Sequence, residues 1–196
     1  MTKFYYIHGF NSFKGGSTGK ALSGLLPLVE IHYDCSKPYK ENMAFLKGQV
    51  DSSCDAVFIG SSLGGFYASQ LSCSGIVPRA RALLINPAVY PGKTISKYIG
   101  KNTNFVTGAE YELTRETVDS YNERIDIARE KSQGVPRIIL LSDKDEVLDA
   151  NEAAEFWKGF GEIRNVPGTH RYHDFDNIAK TAMELGGARK QTIQKT

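Results

Sequence analysis

The residues with the most chemistry to offer lie in Gly60-Ser61-Ser62-Leu63-Gly64. A serine with a glycine two places before it and another two places after fits the sharp strand-to-helix turn that carries a nucleophilic serine. The glycines remove side chains that would collide in such a turn, so the hydroxyl can stand clear of the backbone. The N–H of Leu63, at the start of the helix, would then point at the negative charge that develops on an attacked carbonyl. The same five residues also fit a serine that merely caps a helix, which needs no catalysis. Ser61 competes within the motif but lacks glycines at the paired positions.

Three other segments could supply partners. Ile7-His8-Gly9-Phe10-Asn11-Ser12 follows the first apolar run, where such a site takes its second oxyanion donor from an early loop. The donor would be the backbone N–H of Phe10, with His8 shaping the loop rather than acting as a base. Each donor of this kind is worth ~3 kcal/mol of transition-state stabilisation. Leu140–Val147 puts Asp143 and Asp145 just beyond a buried run, where an acid that orients a histidine belongs. Gly168-Thr169-His170-Arg171-Tyr172 offers a histidine on a loop, with His173 as a rival three residues on. Proximity to the turn favours His170, and Asp143 stays open beside Asp145 because strand ends are read only to within a few residues. The order along the chain is serine, acid, histidine, unlike the chymotrypsin and subtilisin orders.

The elements that must position these groups alternate. Phe4–Ile7 and Leu28–Tyr33 read as strands, and Tyr39–Val50 as a helix carrying Met43, Leu46 and Val50 at helical spacing. Ala56–Gly60, Arg81–Ile85 and Arg137–Leu141 are short continuous apolar runs, as expected of strands covered on both faces. Leu63–Leu71 reads as a helix and Glu162–Val166 as a last strand. Strands alternating with helices imply parallel crossovers and a three-layer α/β domain. Tyr90–Gln133 breaks the rhythm with Pro91-Gly92, Gly100, Asn102 and Gly108, followed by a polar helical pattern from Thr114 to Lys131. It fits an insertion that covers a site, or equally a plain exterior helix with a loose lead-in.

Composition narrows the function classes. The chain has 196 residues, 41% of them hydrophobic and 23% charged, which suits one well-buried domain. A formal charge of +2 argues against a nucleic-acid partner. The one local basic excess, Arg189–Lys195 in the 189–196 tail, reads as a solvated end. No apolar run is long enough to span a membrane, and Lys3-Phe4-Tyr5-Tyr6-Ile7 is too short and aromatic for a signal-peptide core. Cys35, Cys54 and Cys73 are odd in number and without metal-ligand spacing, so a reduced, cytoplasmic setting is expected.

Together, His8–Ser12, Gly60–Ala68, Asn86-Pro87-Ala88, Asp145–Asp149 and Gly168-Thr169-His170 resemble the small YqiA-like bacterial esterases of the α/β-hydrolase superfamily. The likeness runs from the first strand to the last. It implies a compact α/β/α sandwich with a mostly parallel sheet, a single domain over 1–196, and a short or absent lid within 90–133. It implies hydrolysis of short-chain carboxylic esters through an acyl-enzyme on Ser62. His170 would be the general base and then acid, Asp145 its orienting carboxylate, and Phe10 and Leu63 the oxyanion donors. The substrate would be a small acyl ester, with no metal or organic cofactor. Two departures stand out. The family's histidine loop usually reads Gly-Gly-x-His, whereas Thr169 follows Gly168 here, and Phe13-Lys14-Gly15-Gly16-Ser17 is an unusual segment that bears on the acyl pocket.

Three other readings remain. A thioesterase or an amidase would use the same triad, and a hydrolase-like binding protein would keep the fold without the chemistry. Lys14-Gly15-Gly16-Ser17-Thr18-Gly19-Lys20-Ala21 imitates a phosphate loop, but a working one needs glycine at 14 and Ser or Thr at 21.

Overall fold

A computed structural model describes residues 1–122 and 134–187. The apolar runs form one sheet with strand order β2-β1-β3-β4-β7-β8, every neighbouring pair being parallel. The strands are β1 (Thr2–Ile7), β2 (Leu28–Ile31), β3 (Asp55–Ser61), β4 (Ala80–Ile85), β7 (Arg137–Ser142) and β8 (Glu162–Val166). Strands β5 (Gly100–Thr103) and β6 (Glu110–Leu113) make a separate antiparallel hairpin.

Alternation along each central strand divides the core in two. Tyr5, Ile7, Ala56, Phe58, Ala82, Leu84, Ile139 and Leu141 face one layer, while Phe4, Tyr6, Val57, Ile59, Leu83, Ile85, Ile138 and Leu140 face the other. The first face is covered by α2 (Tyr39–Gly48), α3 (Leu63–Ser72), α5 (Arg115–Ser120) and α6 (Ala150–Trp157). The second is covered by α1 (Ser17–Ser23) and α7 (Phe175–Gly186), through Leu22, Ile178, Ala179 and Ala182. Because both faces are dry, the strands read as unbroken apolar runs. The fold is the expected three-layer sandwich.

Element ends differ from expectation for visible reasons. Strand β2 stops at Ile31 rather than Tyr33, because the Gln49 side chain takes both backbone groups of His32: Oε1 accepts its N–H at 3.2 Å and Nε2 donates to its carbonyl at 2.8 Å. The same residue ends α2 before Val50, whose N–H turns back to the Lys47 carbonyl. The phosphate-loop imitation holds a carboxylate of its own chain. Gly15 N–H donates to Glu30 Oε2 at 2.8 Å, and a Cβ at Gly19 would overlap the Glu30 carboxyl group.

The irregular region after Tyr90 folds into α4 (Pro91–Ile95), a 3-10 turn, the β5–β6 hairpin and α5, whose first turn is capped by Thr114. The remainder of the helix expected to Lys131 and the tail from Arg189 lie outside the described residues. Among the described residues no helix is long and apolar enough to cross a membrane.

Phe58 is fully buried at the centre of β3 and stacks on Tyr5 with ring centroids 5.6 Å apart. Phe58→Ala removes that packing and leaves a cavity. Urea denaturation should show a loss of about 3–5 kcal/mol.

Candidate active site

Ser62 sits where β3 gives way to α3, with φ 55° and ψ −121°. For a residue with a side chain this backbone costs on the order of 1–3 kcal/mol and persists only where its surroundings hold it. Its N–H donates to the Ile85 carbonyl at 3.0 Å, and its own carbonyl accepts from Ala88 N–H at 3.0 Å and Gly65 N–H at 2.9 Å. Three glycines allow the close crossing. A Cβ on Gly60 would overlap the backbone of Gly64, one on Gly64 would overlap the Ile7 carbonyl, and one on Gly65 would press on Pro87. The Ser62 side chain does not cap α3. Among the described residues its hydroxyl makes no hydrogen bond at all, to His170 or to the helix, which leaves it free to turn. The helix-cap alternative is therefore not what this turn is built for.

Asp145 and His170 are brought together. The imidazole Nδ1 lies 3.0 Å from Asp145 Oδ1 and 2.9 Å from Oδ2, and the two side chains are 13% and 3% exposed. Oδ1 also accepts the N–H groups of Val147 at 2.8 Å and Leu148 at 2.9 Å. Burial alone would raise the Asp145 pKa. The His170 hydrogen bond and the two amides outweigh it and hold the carboxyl below its usual range. An ionised Asp145 keeps the ring proton on Nδ1 and leaves Nε2 as a lone-pair base. The neighbouring Glu146 accepts His170 N–H at 3.0 Å, so the loop backbone is held as well as the ring.

Asp143 is occupied elsewhere. Its Oδ1 accepts Gly168 N–H at 2.9 Å, and Lys144 N–H donates to the Gly168 carbonyl at 2.9 Å, lacing the histidine loop to the end of β7. His173 is exposed and packs on Phe175.

Asn86 went unnoticed as a site residue. Its side-chain Oδ1 accepts Ser142 N–H at 2.8 Å, while Nδ2 donates to the His170 carbonyl at 3.0 Å and to Ser142 Oγ at 2.9 Å. It directly follows Ile85, whose carbonyl holds Ser62 N–H, so one residue ties the serine's turn to the histidine's loop. Its φ of 43° is the signal of a special role, and a sequence shows only an Asn-Pro pair.

The loop after β1 reaches the serine. A Cβ on Gly9 would lie 3.5 Å from Ser62 Cβ, so the loop passes against Ser62 at the residue before Phe10. His8 is buried, stacks on Tyr33 at 4.5 Å, and places Nδ1 2.9 Å from the Gly9 carbonyl. Burial pushes its pKa down to about 4, so at neutral pH it is an uncharged spacer.

The sequence profile of the uncharacterised protein family UPF0227 matches residues 3–186. The chain belongs to UPF0227. A UPF0227 protein of Enterobacter sp. (strain 638) is 25% identical over 185 residues, covering 89% of this chain and 91% of the relative. Among solved structures, Est1E from Butyrivibrio proteoclasticus superposes with a TM-score of 0.71 at 17% identity, over 94% of this chain and 86% of the other. A Paleococcus ferrophilus monoacylglycerol lipase gives 0.65 at 12% identity, over 93% and 94%. These likenesses establish that the UPF0227 chain has the α/β-hydrolase fold, as its motifs implied.

Neutral His8 under this UPF0227 site gives a stability signature with a definite sign. Its folded pKa is depressed from 6.5 to about 4, so its contribution is complete above pH 6.5 and is lost as pH falls towards 4. The loss is on the order of 3 kcal/mol. Urea unfolding across that range should show a steeper decline in the wild type than in His8→Gln. Parallel curves would show that His8 is not buried neutral.

Proposed function

We propose that this UPF0227 protein is a serine hydrolase that cleaves short-chain carboxylic esters through an acyl-enzyme on Ser62. The observation that carries this reading is the paired contact of His170 Nδ1 with both Asp145 oxygens, on a loop that Asn86 ties to the strained turn of Ser62. Ionised Asp145 orients the ring and offsets the positive charge it gains as it takes the serine proton. Ser62 Oγ gives that proton to His170 Nε2 and attacks the ester carbonyl carbon. The carbonyl π electrons move onto oxygen, and the N–H groups of Phe10 and Leu63 receive the oxyanion. Leu63 N–H is the first of α3 and has no partner within the helix. Collapse of the intermediate breaks the bond to the alcohol oxygen, which takes the proton from His170. Water, activated by the same imidazole, then releases the acid and restores Ser62.

The Paleococcus ferrophilus protein that shares this fold is named as a lipase acting on monoacylglycerol, which is itself an ester. Short acyl groups suit an insertion whose described part is a hairpin and short helices. The odd number of cysteines, without metal-ligand spacing, supports a reducing, cytoplasmic setting.

A fluorophosphonate probe should label the wild type and not Ser62→Ala, and p-nitrophenyl acetate turnover should vanish in the variant while its circular dichroism is retained. Labelling at another residue, or turnover surviving in Ser62→Ala, would overturn the assignment. The two aspartates separate cleanly. Asp145→Asn should lower kcat by roughly 10³–10⁴-fold by favouring the wrong imidazole tautomer. Asp143→Asn keeps an oxygen for Gly168 N–H, so its steady-state kcat should stay within a few-fold of wild type.

A further inference from the structure

The mechanism above uses the Phe10 N–H but leaves unexplained why the backbone after it is so thoroughly held. Asn11 has φ 57°, a left-handed backbone, and its N–H, carbonyl and side-chain oxygen all have partners. Its N–H donates to Cys35 Sγ at 3.2 Å, beneath the loop. Its carbonyl accepts Phe105 N–H at 3.0 Å, and its side-chain Oδ1 accepts the Tyr111 hydroxyl at 3.1 Å. One residue on, the Ser12 carbonyl accepts Asn104 Nδ2 at 2.9 Å. Three of these four bonds come from the β5–β6 hairpin, some hundred residues away in the chain. The Phe10 ring also meets Tyr98, just before the hairpin, with centroids 5.2 Å apart.

At its base the hairpin is anchored by Leu113, which is fully buried in the core, and by Tyr111, which packs against that core. It is only four residues per strand, and it is joined to no strand of the main sheet. Phe105 at its turn is 73% exposed, so its side chain is not what docks it. The turn is instead shaped by Asn104, whose Oδ1 accepts Val106 N–H at 2.9 Å and Thr107 N–H at 3.0 Å while its Nδ2 reaches across to Ser12. One amide therefore both forms the turn and fastens it to the loop that carries Phe10.

We propose that the β5–β6 hairpin is a clamp on the oxyanion loop, in which Asn104 and Tyr111 are positioning residues that hold Asn11, and through it the Phe10 N–H, in register with Ser62. The proposal rests on the reading of Ser62 as nucleophile and Phe10 as oxyanion donor. A donor contributes to rate only if it already points to where the oxyanion will form, and a displacement of a fraction of an ångström weakens it. The clamp therefore acts on the transition state more than on substrate binding.

Two near-isosteric variants test this in the full chain. Asn104→Asp retains the oxygen that Val106 and Thr107 need but turns an acceptor towards the Ser12 carbonyl. Tyr111→Phe removes only the hydroxyl. Each should lower kcat for p-nitrophenyl acetate by about tenfold, a part of the 10²–10³-fold expected for losing a donor outright, with KM changed less than about twofold. Affinity for phenylboronic acid, whose tetrahedral adduct on Ser62 mimics the oxyanion, should fall by the same factor as kcat/KM. Thr107→Ala, which removes the Thr107 Oγ1 acceptor of Ala109 N–H at 3.2 Å but leaves the clamp intact, should change neither.

Unchanged kcat and boronate affinity in both clamp variants would overturn the proposal, and so would an equal loss in Thr107→Ala. Fluorophosphonate labelling of Ser62 in the wild type keeps the two levels apart. If the wild type labels and turns over, a negative result sinks the clamp alone. If it does neither, the clamp falls together with the hydrolase reading.

Discussion

The turn at Ser62 can exist only if three backbones come closer than side chains permit. The chain leaves β3, reverses through one left-handed residue and enters α3 directly beneath the carbonyl end of β1. Gly64 faces the Ile7 carbonyl, Gly60 faces Gly64, and Gly65 faces Pro87 beyond β4. The register of the sheet is part of the same constraint, since Ile7 pairs with Gly60 on one side and Ser61 with Ile85 on the other. A slip of one residue in either ladder would set a side chain into the crossing and exchange the two faces of the strand. The buried strands on both sides hold the register that holds the turn.

A pattern in the backbone follows. Among the described residues, the non-glycine ones with positive φ are Asn11, Ser62 and Asn86. They lie just beyond the carboxyl ends of β1, β3 and β4, three adjacent strands at the centre of the sheet. Asparagine tolerates this conformation better than most residues, because its short polar side chain can bond locally. Here both asparagines spend their side chains on distant partners instead, Asn86 on Ser142 and the His170 loop, Asn11 on Tyr111. Strain of this kind gathers where surrounding contacts over-determine the chain. The loops on either side of Ser62 are therefore held by side-chain amides rather than by packing alone.

Much of this was legible in the residues. Ala56–Gly60 and Arg137–Leu141 announce themselves as buried strands because both their faces are covered, and the glycines around Ser62 point directly to a crossing. The polar elements were harder. Strands β5 and β6 read Gly-Lys-Asn-Thr and Glu-Tyr-Glu-Leu, of which the apolar Tyr111 and Leu113 turn inward, while Phe105 and Val106 sit exposed in the turn. Two inward residues make too short a period to mark such a hairpin, whose turn is docked by hydrogen bonds to Asn11 and Ser12. Asp143 and Asp145 differ by two residues, and on a strand they would share a face. They diverge because the chain has already left β7, so that one meets the Gly168 amide and the other the imidazole. The phosphate-like segment was discounted for its missing residues, and its occupant, Glu30, comes from a strand no local pattern connects with it.

The parallel sheet explains why residues as far apart as Phe10 and His170 lie at one edge of it. Every strand of a parallel sheet delivers its following loop to the same edge, and ligands gather there because loops, not strands, can vary. That edge offers position but not rigidity. In this chain the rigidity comes from bonds between loops that never follow one another: the β8 loop laced to the β7 loop by Asp143 and Glu146, the β4 loop tied to both by Asn86, and the β1 loop held by an inserted hairpin. Ser62 needs fewer such ties, because its own turn is locked by the crossing of the strands. The precision of this edge thus has two sources. Close backbone packing places Ser62, and a network of side-chain amides and carboxylates places the loops around it.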